Sequence, residues 1–489
     1  MASSMAFIDG TAVTVALPAL QNAFHATATQ IQWVIEAYAL FLASLLLVGG
    51  SLGDLYGRRL VFALGVALFA VGSVLCGLAQ SITWLIAARG FQGLGAALLV
   101  PGSLAIISAY FPPEIRGRAI GIWSGFSAMT AAVGPVLGGW LVDDASWRWV
   151  FFINLPLALA TLVITFWRVP ESRNQQMNPS LDWSGALLAT VALAGITFAF
   201  LEANRTVAAV AVAAGIGGLA FAALLFVETR VAQPMLPLRL FRSRTFTGAN
   251  LLTLLLYTAL NGLLFFFPLN LIQVQHYSAT QAGAALLPLI LILFLLSHWS
   301  GGLIARYGAR GPLTVGSIVS AVGFALAGLP GIGGSYWTTF FPAVFVLGIG
   351  MAISVAPLTS AVMDSVSTDE AGVASGINNA LSRLASLLSV AVFGLVLLFT
   401  FRQNLGKRLD QFAVPTSERQ SILAQRFSLA AIQTTDPRAR RAVEEAFVYG
   451  FHRIIWLAVG LSLAGAGCAQ LLAKEPIRPV EGAAQAPGA

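Results

Sequence analysis

The chain alternates long apolar stretches with short polar gaps, and that rhythm predicts helices that cross a membrane. A spanning helix needs roughly 20 apolar residues. Fourteen stretches qualify: 1–23, 31–53, 60–79, 83–108, 118–141, 149–168, 183–202, 207–227, 246–270, 282–304, 312–332, 337–360, 373–401 and 451–473. Most gaps between them are short and hold Gly, Pro or Arg, as turns between neighbouring helices require. The first stretch ends in AFHATA, like a leader peptide. No basic residues precede it and Asp9 interrupts it, so it reads as a retained first span. One gap, 402–450, is long. It ends in DPRARRAVEEAF, where Asp436 can cap a helix and Pro437 can take its first position. Arg440–Glu444 and Arg441–Glu445 are spaced as i,i+4 pairs, so the last span is expected to start as an exposed helix above the membrane.

Composition sharpens this picture. The chain is 57% hydrophobic and 10% charged, whereas soluble domains carry about 25% charged residues. It is therefore an all-α polytopic membrane protein in contact with the lipid bilayer. The net charge of +7 does not point to nucleic acid, because the basic residues sit in short gaps and form no continuous patch. They report orientation instead. With the N-terminus in the cytosol, the short inner gaps hold Arg58, Arg59, Arg116, Arg118, Arg168, Arg173, Arg230, Arg239, Arg242, Arg244, Arg306 and Arg310, and the short outer gaps only Arg148 and Arg205. This places both termini in the cytosol, although the outer loop 402–450, with eight Lys or Arg, runs against the trend. Cys76 and Cys468 each fall inside a span and read as packing residues. His25, His276, His298 and His452 are scattered without metal spacing, and no phosphate-cradling loop appears, so nothing suggests an enzyme.

The chain repeats itself. At an offset of 251, Ala28-Thr29-Gln30 matches Ala279-Thr280-Gln281, and Gly50, Leu52, Tyr56, Gly57 and Arg59 match Gly301, Leu303, Tyr307, Gly308 and Arg310. Gly65, Gly72 and Gly77 match Gly316, Gly323 and Gly328 in the same register; at 255, Gly93, Gly95, Gly117 and Gly121 match Gly348, Gly350, Gly372 and Gly376. The step is eight spans, so the copies are parallel. Six spans per copy leave two between them. The expected organisation is a six-helix bundle at 1–168, two linking helices at 181–227, a second bundle at 245–474 with the outer loop 402–450, and a cytosolic tail at 475–489. Parallel halves around a central cavity suit a secondary transporter.

The stretch GSLGDLYGRR, Gly50 to Arg59, is then a cytosolic hairpin between spans 2 and 3. Gly57 permits the tight turn, Arg58 and Arg59 hold it inside, and Asp54 can pair with an arginine or face a helix N-terminus. The second copy has Ala305 in place of Asp54, which fits a charged latch in the first half better than a plain topology signal.

An ionisable group at mid-span costs at least ~2.5 kcal/mol and needs a reason. Asp9 could take up a proton on one side and release it on the other, or serve as a snorkelling or capping carboxylate. Glu36 could be a second proton site, an anchor for a cationic substrate, or a residue at the cavity rim. Trp33 and Tyr38 flank it and offer either a cation–π surface or interfacial anchors. Arg89 could govern when a neighbouring carboxylate gives up its proton, or donate to backbone carbonyls. Arg383 lies in mid-span 13. Gly121, Gly125, Gly134, Pro135, Gly138 and Gly139 make span 5 a tight, bent seam between halves or a generic packing face. Asn261, Gln273, Asn378 and Asn379 could line the cavity or bond helix to helix. No carboxylate stands in the second half at the positions of Asp9 or Glu36, which puts proton handling mainly in the first half.

These residues resemble the major facilitator superfamily and, within it, the fourteen-span drug/proton antiporters of the EmrB/QacA type. GSLGDLYGRR is similar to the superfamily's cytosolic loop motif. IDGTAVTVALP at 8–18 is similar to the first-helix motif, with Ala12 and Thr14 where Val and Asn are usual. RGFQGLGAA at 89–97 resembles the span-4 motif, and GIWSGFSAMTAAVGPVLGG at 121–139 the span-5 antiporter motif, with Thr130 where Gly is usual. In span 13 the family usually has Arg where this chain has Ser382. The resemblance implies the major facilitator fold and proton-coupled export of amphiphilic or lipophilic, cationic, drug-like compounds by alternating access. It implies multidrug efflux at the cytoplasmic (inner) membrane, driven by the proton gradient with no other cofactor. It leaves room for a periplasmic adaptor protein where the host has an outer membrane. A proton-coupled importer of a small metabolite on the same scaffold is the alternative.

Overall fold

The computed structural model describes residues 2–110, 130, 133–172, 183–202, 207–231, 238–301, 303–366 and 371–472. Every regular element among them is a helix. The first half holds α1 (Ala2–Phe24), α2 (Ala28–Tyr56), α3 (Arg58–Gly77), α4 (Ile82–Tyr110), α5 (133–144), α6 (Trp149–Phe152) and α7 (Asn154–Arg168). Then come α8 (Trp183–Leu201) and α9 (Val207–Glu228). The second half holds α10 (Arg244–Gln273), α11 (Ala279–Ala284), α12 (Leu287–Gly301), α13 (Leu303–Tyr307), α14 (Arg310–Ala327), α15 (Tyr336–Thr339), α16 (Phe341–Asp364), α17 (Ala371–Gln411), α18 (Thr416–Ala424) and α19 (Pro437–Cys468). Thirteen helical stretches among the described residues are long and apolar enough to cross a membrane. The expected span 118–141 lies largely outside the described residues.

Local chemistry sets the ends of these helices. Thr27 and Gln30 form a reciprocal capping box at the start of α2, which satisfies backbone donors the helix cannot use itself. At the far end Gly57, with φ +114°, turns the chain into α3. Asp436 accepts from the Arg438 N–H at 2.8 Å with Pro437 in the first turn, so α19 starts well before its apolar part, as its sequence predicts. Arg441 pairs with Glu445 at 3.0 Å. The expected Arg440–Glu444 pair does not form: Glu444 turns inward and bonds His276 at 2.9 Å, and Arg440 reaches the Thr434 carbonyl instead.

The sequence repeat is present in three dimensions. His25 and His276 both take left-handed φ, +48° and +57°. Ser278 and Gln281 form the same capping box on α11 that Thr27 and Gln30 form on α2. Where helices touch, equivalent glycines meet equivalent partners: Gly72 abuts Gln92 and Gly323 abuts Leu347; Gly93 abuts Tyr38 and Phe41, and Gly348 abuts Leu289 and Ile292; Gly95 abuts Phe69, and Gly350 abuts Ser320. Each pair obeys the 251 or 255 offset. Small residues at these crossings let backbones approach, since lipid supplies no hydrophobic drive between helices. Thus α2 and α3 pack on α4 as α12 and α14 pack on α16. Helices α8 and α9 pack on each other, and α8 also touches α2 and α17, one helix from each half.

The two ends of the assembly differ. At the end that holds the α1–α2 and α5–α6 turns, the halves are locked together. Gly139 lies against the backbone of Ala279 and Gly283 against that of Pro135, both with no room for a side chain. Gln273 donates to Gln21 at 2.8 Å, and Gln21 to the Ser428 carbonyl at 3.0 Å. Toward the opposite end, a cavity of about 330 Å³ separates α1 from α10, α16 and α17.

Candidate functional site

Five elements of the first half converge on one polar cluster. Asp9 and Arg89 are fully buried and paired at 2.5 Å. Gln92, one turn beyond Arg89 on α4, donates to Asp9 Oδ1 at 2.9 Å and to Ser73 Oγ of α3 at 2.9 Å, and accepts from Arg89 Nη1 at 2.7 Å. Asn154, at the start of α7, donates to Asp9 Oδ1 at 3.3 Å and to Ser73 Oγ at 3.2 Å. Arg89 Nε donates to the Val34 carbonyl of α2 at 3.0 Å. The guanidinium carbon stands 4.3 Å from the Tyr38 ring centroid and 5.9 Å from that of Phe151, so aromatic rings take the place of water around it. A buried ion pair is tolerable only when further hydrogen bonds serve its other atoms. Gln92, Asn154 and the Val34 carbonyl serve Asp9 Oδ1 and the Nε and Nη1 of Arg89, while Arg89 Nη2 has no hydrogen-bond partner among the described residues.

Glu36, two residues from Tyr38, is also fully buried, but among the described residues neither of its oxygens has a hydrogen-bond partner. Trp33 points elsewhere: its indole N–H donates to Glu202 at 3.2 Å and its ring lies against Phe198, so it joins α2 to α8. Of the residues expected to meet substrate, Asn261, Asn378, Asn379 and Arg383 come together on the wall of the cavity, with Tyr257, Ser382 and Ser386 beside them and Phe7 opposite. Asn378 is held in place by donating to Asn250 at 3.1 Å and Thr253 at 2.8 Å. Gln273 is not on this wall; it sits at the locked end.

The residues expected to steer conformation fall in two places. Gly134 and Gly138 press on Thr11 and Ala12 of α1, while Pro135 and Gly139 press on α11, so this part of α5 is a seam to both halves. Gly121 and Gly125 lie outside the described residues. At the hairpin, Gly50 faces Pro101 of α4, and the side chain of Asp54 lies outside the described residues. The α3 N-terminus is met by Glu171 instead. Its oxygens accept from the Arg59 N–H at 3.0 Å and the Leu60 N–H at 3.2 Å, and its carboxylate lies 3.8 Å from the Arg59 side chain. A negative charge is favourable at a helix start. Arg58 N–H donates to the Ser172 carbonyl at 2.9 Å.

Sequence reasoning passed over Gln92, Asn154, Ser73, Glu171 and Asp143. Gln92 was detectable, because three residues after Arg89 it must share that helix face. Asp143, just past span 5, accepts from the Ala279 N–H at 3.2 Å, the Thr280 N–H at 2.8 Å and the Thr280 hydroxyl at 2.6 Å, linking first half to second. Partial burial pushes its carboxyl up, but the bonds from Thr280, Ser278 and Ala279 together outweigh this and hold it below the ordinary carboxylate value.

Fold and site define an integral, multi-pass membrane protein made of two copies of one helical unit, with a side-chain ion pair buried in the first copy and a cavity between the two. Known proteins agree: the Major Facilitator Superfamily matches residues 1–390, and the chain belongs to that family. Multidrug resistance protein Stp of Mycobacterium tuberculosis is 34% identical over 439 residues, 89% of this chain and 80% of that protein. The tetracenomycin C resistance and export protein of Streptomyces glaucescens is 34% identical over 401 residues, 80% of this chain and 73% of its own. The methylenomycin A resistance protein of Streptomyces coelicolor is 33% identical over 416 residues, 84% and 86% of the two chains. Among solved structures, a bacterial homolog of the human lysosomal transporter Spinster, inward-facing and unoccupied, superposes with a TM-score of 0.66 over 96% of this chain and 95% of that one. At 18% identity it supports the fold alone.

Proposed function

We propose that the protein is a drug exporter of the fourteen-span kind, in which inward proton flow drives outward movement of amphiphilic compounds. Two six-helix bundles would rock about the cavity between them, in the cytoplasmic membrane with both termini in the cytosol. In that orientation the locked end faces outward and the cavity belongs to the state that loads from inside. The observation that carries the reading is the buried Asp9–Arg89 pair, one side chain from each of α1 and α4, in the half that forms one wall of the moving seam. Protonating Asp9 would release Arg89, Gln92 and Asn154 from their shared acceptor. A proton could thus change how α1, α4 and α7 hold together. Glu36 is a candidate second proton carrier, since a lone buried carboxylate is costly. The names of the relatives support export as the direction.

Everted vesicles that hold the protein and an acid interior test this. Substrate should trigger proton release, and Asp9→Asn should abolish accumulation against a gradient while leaving downhill movement. Uphill transport by Asp9→Asn would remove Asp9 from the cycle. Uptake that follows the proton inward in right-side-out proteoliposomes would favour the importer.

A further inference from the structure

The cavity between the halves carries a charge of its own. Asn261 of α10 and Asn378, Asn379, Ser382 and Arg383 of α17 form its polar wall, with apolar surface from Phe7, Val362 and Met363. Among the described residues no acid lines this cavity, and none pairs with or accepts a hydrogen bond from Arg383. Asp9 and Arg89 cancel each other outside it, and Glu36 is not part of its lining. A guanidinium stays protonated in a protein, so the described lining of the cavity presents one fixed positive charge beside neutral amides. A charge held at membrane depth needs a counter-charge or water, and a bidentate fork fits a planar anion best.

We propose that this cavity selects amphiphiles bearing one negative charge, such as an aromatic carboxylate, and that Arg383 recognises the anion while Asn261 donates a further hydrogen bond. The inference rests on the export reading and replaces its expectation of a cationic cargo. A cation would meet Arg383 at close range with no acid among the described residues of the wall to receive it.

Naphthaleneacetate, naphthaleneacetamide and naphthylethylammonium share one ring system and differ in charge. Equilibrium dialysis of each against the full chain in nanodiscs, with empty discs subtracted, measures the preference. The carboxylate should bind about tenfold tighter than the ammonium, and Arg383→Gln should erase most of that factor while moving the amide by less than about twofold. Asn261→Asp keeps Arg383 in place and adds an acid to the wall, so it should shift the ratio toward the ammonium even if Arg383→Gln does not fold. No carboxylate binding, an equal or tighter grip on the ammonium, or a ratio unmoved by Asn261→Asp overturns the proposal. Vesicles separate this from the reading beneath it. Export of the amide or ammonium but not the carboxylate sinks the anion alone, whereas movement of none of the three sinks export as well.

Discussion

The two halves share a scaffold and differ in what it encloses. Asp9 stands where the second half has Leu260, Glu36 where it has Leu287, Ser73 where it has Phe324, Arg89 where it has Val344, and Gln92 where it has Leu347. Leu260, Phe324, Val344 and Leu347 are buried, like their charged or polar counterparts. The same holes between the same helices are filled with hydrocarbon in one copy and with an ionic network in the other. Helix crossings depend on the glycines, which both copies keep; the charges are an addition to one of them. The polar groups of the second half that do matter, Asn378 and Arg383, lie at the cavity and not at the matching interior positions.

The comparison is broken most severely by giving the first half the interior of the second. Asp9→Leu leaves Arg89 buried and unpaired and should destabilise by about 3–5 kcal/mol. The double change Asp9→Leu with Arg89→Val should recover most of that in thermal melts of the purified protein, yet remain without proton-driven transport. Recovery of transport in the double variant would show that the ions are structural only. Next come the shared glycines. Gly95→Ala and Gly350→Ala should each cost about 1–3 kcal/mol and by similar amounts, since both crossings are closed to a methyl group. A cost confined to one half would deny that the scaffold is common.

A smaller effect is expected at the joint between the halves. Asp143→Ala should raise the population opened at the locked end severalfold, read as spin-label distance between Ser146→Cys and Ser335→Cys in a background without Cys76 and Cys468. The sign with pH is fixed by the lowered value of Asp143. Its bonds to α11 are at full strength at neutral pH and are lost as pH falls through that lowered value, so acid should open the wild type toward the Asp143→Ala distance. No acid effect on the wild type would remove Asp143 as a latch. Least of all, Trp33→Phe should cost about 0.5–1 kcal/mol through its bond to Glu202 and leave substrate affinity unchanged. A large affinity loss would return Trp33 to the cavity.

Much of the architecture was legible because it is periodic. Apolar runs of spanning length mark the helices, and the glycine registers mark the repeat. Even the change of offset from 251 to 255 has a visible cause: α3 and α4 are joined by 78–81, whereas the link from α14 to α16 is longer and holds α15. Asp9 and Arg89 stood out because charge is rare inside a span. That they pair with each other, and that Ser73 and Asn154 join them, was not legible, because these residues lie on four helices and only packing brings them together. Trp33 beside Glu36 looked like a substrate wall in one dimension. Three residues apart, they share a side of α2, but Glu202 and Phe198 take up the Trp33 indole, which the sequence of α2 alone does not show. Asp143 and Glu171 were missed for a simpler reason: acids just outside a span read as ordinary loop polarity until a helix start is found in front of them.

Helix α17 runs for 41 residues without a break. At 1.5 Å per residue that is a contour of about 60 Å, roughly twice the thickness of the oily layer. Its lower part carries Arg383 at the cavity, and its upper part packs against the segment Arg426–Ala431, whose Ser428 carbonyl is held by Gln21 of α1. One continuous helix therefore joins the cavity to the segment that Gln21 ties to α1. If the halves rock as proposed, tilting the second half would pull that segment off α1 in the same stroke, so opening the locked end and moving the cavity wall would be a single mechanical event.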